Sequence, residues 1–388
     1  MTTVLPTVSK PSPATHKAID LIAGAHTLNE RLRHQHDHLL ETVPSIDRIA
    51  CALYDATEDK LKTFINSTRD GEAISAYEFR LADSPSLSAL AQSGEFRVID
   101  DIPAVLQANS QHSAWVLKQG YRSSFTVPIY GHGEFLGFIF YDSLEPEAFP
   151  APVQRDLALY STLLTMAITS ELGAVRALIA AAQAARDFAQ LRDFETGMHL
   201  ERMARYARLI ARVVAPRHGK TDEFVEHVFL FAPLHDIGKI GIPDHILLKP
   251  GKLDAHERAV IQTHVALGVG IVEKILGNLD LTEFADATVM RNIVACHHEM
   301  LDGSGYPQGL AGALVPLEAR IIATADIFDA LTSLRPYKPA WSLSDALAEL
   351  RRMADAGKLD PDCVAALDTH PAEIADILAH CQDQAPHA

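Results

Sequence analysis

Close-spaced cysteines are missing from this 388-residue chain. Its four thiols, Cys51, Cys296, Cys363 and Cys381, form neither a bridge framework nor a zinc-finger spacing. They read as reduced thiols, which makes the cytoplasm the expected location. Long apolar runs are missing too. No stretch approaches the roughly 20 residues that a membrane helix needs, so no membrane is expected as a partner. The opening MTTVLPTVSKPSPAT has no apolar core and no cleavage pattern, and reads as a flexible tail over 1–15 rather than a secretory signal. Positive charge is scarce: Lys plus Arg total 34 against 50 Asp plus Glu, a net −16. Such a chain has no electrostatic footprint for duplex nucleic acid. A phosphate ligand would need metals or a few local cations to reverse the sign at its site. Apolar residues at 48% and charged residues at 22% exclude a disordered chain. The length suits two to three domains.

Histidine is what the chain has in excess. Of 19 histidines, twelve lie at or after His199, which points to metal in the C-terminal half. Residues 16–41 carry helical spacing in Ile19, Ile22, Leu28, Leu32 and Leu39. His34, His36 and His38 splay around that helix and read as a solvated face. From about 45 to 143 the pattern becomes short strands, at 47–54, 61–66, 77–81 and 96–99, with helices near 86–92 and 103–119. A hairpin closes the region, Ser123–Tyr130 and Glu134–Tyr141 around Gly131-His132-Gly133. The strand order resembles a GAF domain, on Ser124-Phe125-Thr126-Val127-Pro128-Ile129, Gly133-Glu134 and Leu136-Gly137. The resemblance implies a six-stranded sheet with helices over 16–150, acting as a small-molecule sensor or a dimer platform, its ligand unknown. Cys51 and His132 read as a core thiol and a turn residue rather than as redox or haem groups.

From Pro152 to about Val214 the chain reads as nearly continuous helix. Ile168, Leu172, Val175, Ile179, Ala182 and Ala189 recur at alternating spacings of 4 and 3, the seam period of a coiled coil. Residues 151–194 are therefore expected to be a helical linker and a homodimer interface. The alternative is one amphipathic helix packed on its own chain. The remainder, 195–388, is expected to be an all-α bundle, with helices at 221–234, 254–264, 266–276, 283–299, 316–332, 344–356 and 361–381.

His235-Asp236 ends an apolar helix and runs into Ile237-Gly238-Lys239. His264, His297-His298 and Asp326 follow, and Glu195 and His199 precede at i and i+4, on one helix face. Five His and three carboxylates on helices can converge inside a bundle, as di-metal sites do. A mixed imidazole–carboxylate set suits transition metals better than Ca or Mg. Eight ligands exceed the need of one ion. Two ions sharing a carboxylate can hold a hydroxide between them and clamp a phosphate. Downstream, the loop Asp302-Gly303-Ser304-Gly305-Tyr306-Pro307 presents an aromatic, Tyr306, as a stacking face for a base. Arg335 and Lys338 read as a phosphate clamp.

Together, Glu195 to His199, His235 to Lys239, His264, His297 to Glu299, Asp302 to Pro307 and Asp326 to Lys338 closely resemble the HD-GYP domain of the HD phosphohydrolases. The resemblance implies a cyclic di-GMP phosphodiesterase yielding pGpG, GMP or both. Its metals would be two or three ions, Fe or Mn, on Glu195, His199, His235, Asp236, His264, His297, His298 and Asp326. Asp236 would bridge, and Asp236 and Lys239 would be catalytic, with a metal-bridging hydroxide as nucleophile. Lys239, Tyr306, Asp329, Arg335 and Lys338 would touch substrate. Three further readings accompany this one: a mixed cyclic GMP-AMP substrate, a catalytically idle cyclic-dinucleotide receptor, or a more general HD nucleotidase, which leaves the Gly305-Tyr306-Pro307 loop unexplained.

Overall fold

The computed structural model describes residues 27–70, 73–106, 111–131, 133–189, 197–278, 287–333 and 340–381. The expectations for the tail, His132, Glu195, Arg335 and Lys338 fall outside these residues.

Helix α1, Leu28–Leu39, opens on a capping box, with Thr27 accepting from the Glu30 N–H and Glu30 reaching back to the Thr27 N–H. Then come strands β1 Arg48–Asp55, β2 Lys60–Thr68 and β3 Glu78–Arg80, helix α2 Pro85–Ser93, and strand β4 Arg97–Ile99. Helices α3 Ile102–Val105 and α4 Gln111–Gln119 lead to strands β5 Ser123–Gly131 and β6 Glu134–Ser143. The strands form one antiparallel sheet in the order β3-β2-β1-β6-β5-β4, the six-stranded sheet implied by the GAF resemblance. Strand alternation divides its side chains. Ile49, Cys51, Phe125, Val127, Ile139 and Tyr141 enter a core shared with α1 and with helix α5, Ala151–Ala189. Arg48, Ser124, Phe140 and Asp142 turn the other way.

Two expectations change here. His36 is buried, not solvated, with Nδ1 2.8 Å from Ser67 Oγ and Nε2 3.0 Å from the Ile46 carbonyl. It shares the inner face of α1 with Leu32 and Leu39, one helical turn to either side. The α5 seam is also occupied within the chain. Ile168 and Leu172 lie with Leu157 and Leu164 in the sheet-side core, and Val175 lies in the core of the helical half. Each such apolar side chain contributes about 1.5–3 kcal/mol by leaving water, so this stretch is used as a packed helix. By length and composition alone, Ala151–Ala177 and Ala255–Asn278 would pass for membrane spans, at mean hydropathy 1.2 and 1.4.

The helical half comprises α6 Gly197–Val214, α7 Asp222–Phe231, α8 Asp244–Leu247, α9 Ala255–Gln262, α10 His264–Asn278, α11 Ala287–Cys296, α12 Leu317–Thr332, α13 Leu343–Asp355, α14 Pro361–Asp368 and α15 Pro371–His380. Prolines break two expected helices. Pro233 falls in a 3-10 turn, Ala232–Leu234, and Pro371 starts α15 as a separate helix. Helix α6 runs through the core on Met203, Tyr206, Ala207, Ile210, Ala211 and Val214.

The opposite face of α6 meets the sheet domain through arginines. Arg205 pairs with Glu58, and Glu78 lies 3.0 Å from Arg212 and 3.4 Å from Arg208. Helix α7 adds Glu223, which accepts the Leu28 and Asn29 N–H groups at 2.6 and 3.0 Å, and Asp222, which accepts the Ala76 N–H at 2.8 Å. Leu230 of α7 packs against the sheet-side core. The two halves therefore share an interface as well as a connecting helix.

Candidate metal centre

The cluster is assembled from the ends and inner faces of four α-helices and the junction of two 3-10 turns. His199 sits near the start of α6. His235 and Asp236 lie between two 3-10 turns, Ala232–Leu234 and Ile237–Gly241. The second turn presses on the start of α10. A Cβ at Gly238 would stand 1.8 Å from the His264 carbonyl oxygen and 2.4 Å from the Gly268 nitrogen, so only glycine permits the approach. That approach brings Asp236 against His264. His297 and His298 follow the end of α11, and Asp326 lies on α12.

Two groups of candidate ligands result. His199, His235 and Asp326 offer atoms within 4.8 Å of one another, and so do Asp236, His264, His297 and His298. Asp236 stands between them. Its Oδ2 lies 3.1 Å from His235 Nε2, and its Oδ1 lies 3.0 Å from His264 Nε2 and 3.6 Å from His297 Nε2. Lys239 Nζ reaches Oδ2 at 2.8 Å.

The donor chemistry fits metal. His235 Nδ1 faces the Ala232 carbonyl at 2.9 Å, His264 Nδ1 the Ile261 carbonyl at 2.7 Å, and His297 Nδ1 the Ile293 carbonyl at 3.0 Å. His199 Nδ1 faces Asp329 Oδ2 at 2.6 Å. An acceptor at Nδ1 requires the proton there, so a neutral ring presents its Nε2 lone pair to the centre. His264 Nε2 and His297 Nε2 are 3.5 Å apart, beside the same carboxylate oxygen. Lone pairs so placed repel one another, and a cation among them relieves the repulsion. Nitrogen and carboxylate donors of this kind suit Fe, Mn, Co, Ni or Zn.

The electrostatics agree. Burial opposes ionisation of Asp236, but the Lys239 charge and contacts with His235 and His264 hold its carboxyl well below the usual range. Burial lowers His297, and burial together with His297 pushes His298 down to about 2, so these rings stay neutral.

Two side chains sit differently from expectation. Asp329 has no exposed surface; it holds His199 Nδ1 and receives Arg202 Nε at 2.8 Å. It stands behind a candidate ligand, one helical turn from Asp326, rather than facing open space. Tyr306 is half-buried, with its ring stacked on His298 at 4.6 Å between centroids. Burial raises its hydroxyl above the ordinary value. Gly305 makes the stacking loop possible, because a Cβ there would meet the Met300 nitrogen at 2.4 Å. Glu299, almost fully buried, holds the same loop by accepting from the Gln308 and Leu310 N–H groups at 2.7 and 2.9 Å.

Arg202 is the residue that sequence reading missed. It is 3% exposed, and also donates to the Cys381 carbonyl at 3.0 Å and Ser333 Oγ at 2.9 Å. Its position three residues after His199, on the same helix face, was the available signal.

The HD domain family matches residues 190–363. The C-terminal half is thus similar to an HD domain. Its relatives include the cyclic di-GMP phosphodiesterase response regulator RpfG of Xanthomonas campestris, 46% identical over 48% of this chain and 47% of that protein. A cyclic di-GMP phosphodiesterase of Vibrio cholerae is 39% identical over 51% of this chain and 40% of that protein. A 3'3'-cGAMP-specific phosphodiesterase 2 of Vibrio cholerae is 40% identical over 50% and 35%. The chain thus spans half or less of the length of these relatives. Ahead of the HD domain, similar solved structures include the GAF domain of a Coxiella burnetii phosphotransferase, 17% identical, covering 41% of this chain and 94% of that one at a TM-score of 0.34.

Proposed function

We propose that this chain is a metal-dependent phosphodiesterase that hydrolyses cyclic di-GMP to pGpG, GMP or both, under the control of its GAF-like domain. The observation that carries the reading is Asp236, whose two carboxylate oxygens face separate histidine groups while Lys239 rests on one of them. Transition-metal ions bound there would supply an activated water and neutralise charge on the phosphoryl oxygens. Asp236 bridges the two groups. His199, His235 and Asp326 hold one side, and His264, His297 and His298 the other, with Glu195 as an additional ligand in a three-ion site. Asp329 fixes the His199 tautomer and orientation, in place of the substrate contact expected of it. Lys239 supplies a fixed positive charge beside the reacting phosphate. Tyr306 offers its remaining ring face to a base, and Arg335 and Lys338 engage the phosphates.

The test is an anaerobic metal-loaded preparation given cyclic di-GMP, with products separated by chromatography. Formation of pGpG or GMP supports the reading. Tight binding of cyclic di-GMP without turnover under Fe or Mn replaces it with the idle receptor. Relatives named for 3'3'-cGAMP keep a mixed dinucleotide as a second substrate, so both should be assayed side by side. The homodimer forms, in this reading, through the outer face of α5. There Leu159, Leu163 and Met166 are 51–63% exposed at spacings of 4 and 3, whereas Ile168, Leu172 and Val175 are already buried. A Leu163→Glu variant that stays dimeric in light scattering would remove that face from the proposal.

A further inference from the structure

The sheet domain encloses a second buried polar site, on the face away from α5. A cavity of about 270 Å³ lies between the domains, but its arginines are matched by carboxylates. The larger cavity, about 420 Å³, lies on the sheet under α2, α3 and α4. Phe79, Ile99, Ile102 and Phe140 give it an apolar wall. Its charged groups are unequal. Arg48 is 3% exposed and pairs with Asp142, and its guanidinium lies 5.0 Å from the centre of the Trp115 ring. Its Nε is buried with no hydrogen-bond partner. Among the described residues Arg97 donates only to hydroxyls, Ser86 Oγ at 3.0 Å and Thr126 Oγ1 at 3.2 Å, and its Nε is likewise buried without a partner there. Burial pulls the Arg97 guanidinium below its ordinary value, with distant Asp142 opposing.

One carboxylate, paired with Arg48, thus stands against two guanidinium groups. The remaining acid in the wall, Asp83, is exposed at the rim. The sequence has no Asp or Glu from Ile102 to Gly133, and Ile102, Leu106, Ser113, Val116 and Ser124 of that range line the cavity. A buried cation without a counter-ion is costly, and an anion that accepts from both free Nε–H groups offsets the cost. Ser113 and Ser124, both buried, add hydroxyl groups to the same wall.

We propose that this cavity binds a small organic anion, a carboxylate or phosphate monoester carried on an apolar or aromatic body. The acid group sits between Arg97 and Arg48, and the body lies against Phe79 and Phe140. The claim is independent of the metal centre and of the reaction proposed for it.

Calorimetric titration of the metal-stripped full chain tests it, with phenyl phosphate and benzoate as anionic probes and benzamide as their neutral counterpart. At least one anion should bind saturably, about tenfold or more tightly than benzamide, as a charge-assisted contact requires. Phenyl phosphate alone would assign the site to phosphate esters, and benzoate alone to carboxylates. Arg97→Met should weaken the bound anion about tenfold or more, with the melting temperature showing that the variant folds. Should that variant not fold, Val116→Trp fills the cavity from α4 without removing charge and should abolish the same binding. Equal affinity for benzamide, anion binding that survives both substitutions, or no saturable binding of either anion to the wild-type chain overturns the proposal.

Discussion

The two buried polar clusters of this chain are built with opposite signs. In the helical half, neutral imidazoles turn their Nε2 atoms toward one another around Asp236, an arrangement that calls for a cation. In the sheet domain, two guanidinium groups lie over one carboxylate, an arrangement that calls for an anion. The overall charge of −16 foretells neither. A site's sign is set within the few ångströms over which burial suppresses screening, not by the whole chain. The two clusters also tolerate loss differently. The histidine cluster loses its function when its central carboxylate goes. The arginine cluster loses stability when its one carboxylate pair is broken.

The sharpest break is Asp236→Ala. Without the shared carboxylate the two histidine groups have no common ligand, so bound metal and turnover should vanish together, by metal analysis and product assay. Metal retained at the wild-type ratio would remove Asp236 from the centre. On the other side, Arg48→Met should destabilise the fold by about 3–5 kcal/mol, because it leaves Asp142 buried and unpaired. Replacing both partners, Arg48→Met with Asp142→Leu, should recover most of that loss in denaturant unfolding. Equal destabilisation by the double variant would show that Arg48 acts through Trp115 alone. A smaller effect is expected at Asp329. Asp329→Asn replaces the anionic acceptor at His199 Nδ1 with a weaker neutral amide and should weaken metal affinity by about 10–100-fold. A raised KM at unchanged metal affinity would instead return Asp329 to substrate contact.

The contrast extends to what the sequence discloses. The metal cluster is legible because its residues come as local strings: His235-Asp236-Ile-Gly-Lys239 and His297-His298 each place a ligand and its backbone geometry together. The sheet was legible by strand patterning, and its hairpin lies within two residues of expectation. The arginine cavity was not legible. Arg48, Arg97 and Asp142 sit on three strands and share a face only through register, with Arg48 opposite Asp142 across the ladder. Arg205, Arg208 and Arg212 do recur on one face of α6, yet that spacing alone does not separate a domain seam from a solvated face. Asp329 was read outward, and Arg202 was passed over, because a helix position gives spacing but not what packs above it. His36 was misread for the same reason.

The smallest expected effect concerns the elements that connect the two clusters. At β3 and the residue before it, alternation sends Tyr77 and Phe79 into the arginine cavity, while Glu78 reaches Arg208 and Arg212 on α6. The same helix carries His199. An occupant pressing on Phe79 therefore has a mechanical route to the metal centre, through β3, the Glu78 ion contacts and the length of α6 between Arg208 and His199. Lys60 of β2 also approaches Glu78, at 3.6 Å, and Glu58 and Glu226 add negative charge nearby. Burial pushes the Glu78 carboxyl up to about 7, against the pull of Arg212 and Lys60. Above that pH the carboxylate grips α6; below it the group is neutral and the grip relaxes. If phenyl phosphate or benzoate alters turnover of cyclic di-GMP, that response should therefore be larger at pH 8 than at pH 6. Glu78→Gln should reduce it to within about twofold of no response, while leaving metal content unchanged. A response of wild-type size in Glu78→Gln at both pH values would route the coupling through α5 instead, whose buried face joins the same two cores.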